Sequence, residues 1–110
     1  MKRMTLQNAV CLYQADCKAR NLSTRTMELN ECAFNALRSF LEEPDPTIDC
    51  LTPGVLRGFF TATSENKSPS TSARYYDVLS SFVRWRVLDE FLSENPITDV
   101  QKPKKKEPPI

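Results

Sequence analysis

The chain has 110 residues, 15 lysines and arginines against 14 acids, no histidine and four cysteines. That length suits one domain with a modest core. The formal charge of +1 gives no global basic signature for nucleic acid, and no apolar run reaches the ~20 residues of a membrane span.

Charge is distributed unevenly. Residues 1–43 sum to +1, residues 44–66 to −2 and residues 67–110 to +2. The last excess lies in Lys102, Lys104, Lys105 and Lys106. The basic start Met1-Lys-Arg-Met is followed by Gln7, Asn8 and Gln14 rather than an apolar stretch, which argues against a secretory signal. Cys11, Cys17, Cys32 and Cys50 show no CxxC spacing, and without histidine a zinc site is not expected. They read as reduced, mostly buried thiols of a cytosolic protein. No cofactor is expected.

A first helix is predicted over 5–20. Thr5 can cap it, and Leu6, Ala9, Val10, Tyr13 and Cys17 share a face. Lys18 and Arg20 suit its last turn, and Asn21-Leu22 breaks it. Ser23-Thr24-Arg25-Thr26 opens a second helix running to about Glu43, with Met27, Ala33, Phe34, Leu37, Phe40 and Leu41 as its buried stripe. Pro44-Asp-Pro46 ends it. Thr52 and Pro53 are a strong start for a third helix over 53–64, with Val55, Leu56, Phe59 and Phe60 facing inward.

The longest segment follows. Ser68 before Pro69, or Ser70 one step on, can cap a helix over 70–93. Tyr75, Tyr76, Leu79, Phe82, Val83, Val87 and Phe91 recur at helical steps, while Arg74, Asp77, Ser81 and Arg84 fall on another face. Asn95-Pro96 is the predicted stop. Residues 99–110, with lysines and prolines dominating, read as a linker or tail after a helical domain at 1–98. No segment alternates long enough for a strand. The expected class is all-α, a compact bundle of four main helices with a flexible basic tail. Tyr13, Phe34, Leu37, Leu41, Phe59, Leu79, Phe82 and Trp85 are its expected core.

Two helix starts echo each other. Leu22-Ser-Thr-Arg-Thr26 and Lys67-Ser-Pro-Ser-Thr71 both combine hydroxyls with a cation. Helix N-termini present free amides and partial positive charge, so two such starts side by side would grip a nucleic-acid backbone. As two ordinary capped starts, they would do no more than begin helices.

The ordered set resembles the N-terminal core-binding (SAM-like) domain of tyrosine recombinases, the phage-integrase superfamily. The resembling elements are Leu22-Ser23, Thr26 through Phe40-Leu41-Glu42, Leu51-Thr52, Ser70-Thr71 through Phe82-Val83-Arg84-Trp85, and Asn95-Pro96, covering about residues 6–106. Asn30 departs from a position often aromatic in that family, and Tyr75 and Tyr76 from positions often basic and aliphatic. The resemblance implies a clamp on double-stranded DNA through the second and fourth helices. It implies a catalytic domain of the same recombinase, other protomers in a synaptic complex, a monomeric isolated domain and a cytoplasmic, nucleoid-associated setting without a membrane. The DNA-facing candidates are Ser23, Thr24, Arg25, Thr26, Lys67, Ser70, Thr71, Ser72, Arg74, Lys102, Lys104, Lys105 and Lys106. No catalytic residue carries over, because Tyr13, Tyr75 and Tyr76 match no nucleophile context, and the chain itself is expected not to be an enzyme. A helical protein-interaction module and a small freestanding DNA-binding regulator are the alternatives.

Overall fold

Thr5 caps the first helix by accepting the Asn8 amide at 3.1 Å, and α1 (Leu6–Ala19) follows. The computed structural model describes residues 4–92 and 94–103. The buried side of α1 is Leu6, Ala9, Val10, Tyr13 and Cys17, the face the spacing predicts. Its end is a six-residue lock. The Leu22 amide reaches the Cys17 carbonyl and the Asn21 amide the Lys18 carbonyl, with Asn21 left-handed at φ 61°. Asparagine tolerates that conformation better than most residues.

Ser23 caps α2 (Thr24–Leu41), which buries Asn30, Ala33, Phe34 and Leu37. Asn30 makes a buried polar contact, donating to Gln14 Oε1 at 3.2 Å and Cys17 Sγ at 3.9 Å. Phe40, predicted for the buried stripe, is 39% exposed, and Met27 and Leu41 are half-buried. A 3-10 turn at Ile48–Cys50 follows the proline loop. That loop is tied to the start of α1 by Leu6 N–H to Pro46 O and Ile48 N–H to Met4 O. Thr52 caps α3 (Pro53–Asn66) with proline in its first turn, and Phe59 and Phe60 face inward.

Ser68, not Ser70, caps α4 (Pro69–Val83). The predicted single helix over 70–93 stops early. Arg84 ends α4, Trp85 is extended, and a short α5 (Arg86–Asp89) follows. The reason is length. A 24-residue helix spans roughly 36 Å, whereas α1, α2 and α3, with 14, 18 and 14 residues, span roughly 21–27 Å. A straight α4 would carry its last apolar residues past the bundle. The break instead buries Leu88 and leads to buried Ile97 and Val100, so the chain stays packed through Val100.

The core forms where α1, α2 and α4 meet. Tyr13, Phe34 and Phe82 pack edge-to-face at centroid distances of 4.9–6.0 Å, and half-buried Trp85 joins at 5.4 Å from Tyr13. Phe59 of α3 stacks on Tyr75 of α4 at 6.2 Å. Of the cysteines only Cys17 is buried. Cys50 is half-buried, and Cys11 and Cys32 are exposed, which corrects the expectation of mostly buried thiols. Their two sites lie on the outer faces of α1 and α2, where small residues need no burial. The described residues form no strand, only one isolated bridge between Thr5 and Thr47. None of the described helices is long and apolar enough to cross a membrane.

Candidate nucleic-acid interface

Helices α2 and α4 run antiparallel. Leu22, Thr26, Leu29 and Asn30 share a cleft with Asp77, Val78, Ser81, Arg84 and Trp85, so the start of α2 lies beside the end of α4. At the other end, Phe40 meets Phe59 at 5.7 Å, and Phe59 stacks on Tyr75 near the start of α4. The two hydroxyl-rich starts are therefore apart, not adjacent. A single grip built from both helix N-termini does not form, because antiparallel packing puts them at opposite ends.

What the fold assembles instead is a row and a cleft. Ser70, Arg74, Asp77, Ser81 and Arg84 recur at steps of four and three along α4, and all five are exposed. The row runs into a cleft of about 690 Å³, whose α1 wall is Tyr13, Asp16 and Arg20. Arg25 is exposed on α2, one turn from both Leu22 and Leu29 at the cleft. Among the described residues, Arg25, Arg74 and Arg84 carry no ion pair, whereas Arg20 pairs with Asp16 at 2.9 Å. These three guanidinium groups, two in the α4 row and one in the first turn of α2, offer bidentate donors to phosphate.

The remaining candidates divide by what their side chains already do. Ser23 Oγ accepts the Thr26 amide at 3.2 Å and pairs with Thr26 Oγ1 at 2.9 Å. Thr24 and Ser70 are exposed. Thr71 shares a hydroxyl pair with Ser68 at 2.9 Å. Lys67 lies at the far end, its Nζ 5.8 Å from the Tyr75 ring centroid and 3.5 Å from the phenol oxygen. Ser72 is withdrawn from any surface: it is fully buried and donates to the Phe60 carbonyl at 2.8 Å. That bond joins α3 to α4, so Ser72 is structural. Lys102 pairs with Asp77 at 2.8 Å. Lys104, Lys105 and Lys106 lie outside the described residues.

Tyr13 is a core group here. Burial, reinforced by neighbouring Cys17, pushes its phenol up to about 12. Arg84 and Arg20 are absent from the sequence-derived candidates. For Arg84 the signal was available in the 70-74-77-81-84 spacing, which marks one helical face without any motif.

No protein-family model and no curated protein matches the chain. Solved structures do. A lambda integrase(75-356) dimer bound to a COC' core site aligns with 94% of this chain at TM-score 0.80 and 16% identity. A lambda integrase dimer bound to a COC' core site and a lambda integrase tetramer bound to a Holliday junction each align with 96% of it at TM-score 0.81, with 15% and 14% identity. This chain spans 37% of the first of those proteins and 30% of the other two. At such identities the likeness is one of fold, and it accords with the resemblance drawn from the helix starts and stops. The chain has the fold of one segment, about a third, of lambda integrase.

Proposed function

We propose that this chain is the DNA-binding clamp domain of a site-specific tyrosine recombinase, holding a recombination-site duplex for a catalytic domain that lies beyond the helical unit. The observation that carries this reading is the fold shared with lambda integrase over 94% of the chain, in a structure solved on core-site DNA. The exposed row on α4 and the start of α2 supply chemistry that suits it. Arg25, Arg74 and Arg84 meet phosphates, and Thr24, Thr26 and Ser70 donate to phosphate oxygens or base edges. Ser23 at the start of α2, and Lys67 and Thr71 at the opposite end of the α2–α4 pair, have side chains partly engaged. Residues 99–110 lead toward the catalytic domain, and other protomers complete a synaptic complex on cellular DNA. Cleavage and joining belong to that other domain.

The test is duplex binding at several salt concentrations. Arg25→Ala and Arg74→Ala should each lower the magnitude of the log–log salt slope by about one. Their circular dichroism should match the parent's. If added duplex instead shifts amides of α3 and the 44–50 loop while Arg25 and Arg74 stay silent, the reading fails and a protein-interaction module replaces it.

A further inference from the structure

Residues 97–102 are docked rather than free. Ile97 and Val100 are 1% and 5% exposed. Tyr76 Oη donates to the Val100 carbonyl at 3.1 Å, and Arg57 donates to the Asp99 carbonyl at 2.9 Å. This strap brings Lys102 to α4, where its Nζ meets both oxygens of Asp77, at 2.8 and 3.1 Å. Asp77 is the only acid in α4, and it stands in the exposed row between Arg74 and Arg84. A bare carboxylate there would repel any phosphate the two arginines attract.

We propose that Lys102 is a positioning residue that masks Asp77, so that the α4 row presents Arg74 and Arg84 to an anionic duplex without an opposing charge. The proposal rests on the DNA-binding reading above. Lys102 therefore acts on DNA through Asp77 and not as an independent phosphate contact. The burial of Ile97 and Val100 delivers it, because an exposed ion pair alone holds a chain only weakly.

A double-mutant cycle on the full chain separates these roles. Binding to a duplex is measured at low salt for the parent, Lys102→Gln, Asp77→Asn and the double variant. Lys102→Gln should weaken binding roughly two- to fivefold, as loss of one exposed charge pair implies. In the Asp77→Asn background the same change should have no effect. Equal loss in both backgrounds would make Lys102 a direct phosphate contact and overturn the proposal, as would no loss in either. Val100→Ser, which frees the strap without touching either charge, should reproduce the Lys102→Gln loss and raise the mobility of the Lys102 amide in ¹⁵N relaxation. Equal mobility in the parent overturns the masking proposal alone. A parent that binds no duplex at low salt overturns the DNA-binding reading and this proposal with it.

Discussion

Tyr13 shows how one residue's surroundings become a property of the whole domain. Its ring touches Phe34, Phe82 and Trp85 edge-on, and burial raises its phenol from 10.0 to about 12, with Cys17 adding to the shift. A group raised on folding keeps its proton in the native state after the unfolded chain has lost it. Its stabilisation is full below about pH 10 and is lost as pH climbs through about 12. Tyr13→Phe should flatten that part of the stability profile, measured as urea midpoints from pH 9 to 12. An equally steep fall in the variant would assign the alkaline loss to other groups. Packing at the same cluster gives a second expectation. Phe82→Ala, at a fully buried site, should cost about 3–5 kcal/mol. Phe40→Ala, on a ring 39% exposed, should cost far less. The two denaturation midpoints, compared directly, check it.

At the scale of elements, the turn between α1 and α2 depends on one left-handed residue. Asn21 at φ 61° closes α1 and aims Ser23 at the start of α2. Asn21→Ala should cost about 1–2 kcal/mol, the penalty a Cβ without a local polar partner meets there. Glu42, left-handed at φ 56° after α2, is the converse case, and Glu42→Gly should gain about 1 kcal/mol. Thermal melts of both variants read these signs. Such local chemistry is what made the helices legible: Thr5, Ser23 and Thr52 announce their starts, and Asn21 and Pro44 their ends. The end of α4 was not legible. Apolar spacing continues unbroken from Tyr75 to Phe91, and nothing local marks Arg84-Trp85 as a break. Only the bundle's length decides it. The candidate site was legible in part for the same reason. Hydroxyls at helix starts are visible in sequence, but which of them cap, which are buried like Ser72 and which face one another depends on antiparallel packing.

Across the whole molecule, that packing spreads the candidate cations over two ends of the α2–α4 pair. One end holds Arg25, Arg84 and the cleft, and the other holds Lys67. The ends differ in how committed their charges are. Arg84 is exposed and unpaired among the described residues, whereas Lys67 leans over the Tyr75 ring at 5.8 Å and bonds its phenol at 3.5 Å. A cation with a partner must give it up to reach a phosphate, so its net gain from DNA is smaller. Arg84→Ala should therefore weaken duplex binding more than Lys67→Ala and lower the salt slope by about one, while Lys67→Ala should leave the slope nearly unchanged. Because the two sites share no partner and lie at opposite ends, the double variant should lose the sum of the single losses, within about 0.5 kcal/mol. A larger loss from Lys67→Ala would place the duplex on the α3–α4 junction. The start of α4, with Ser70 and Thr71, would then be the gripping end in place of the cleft.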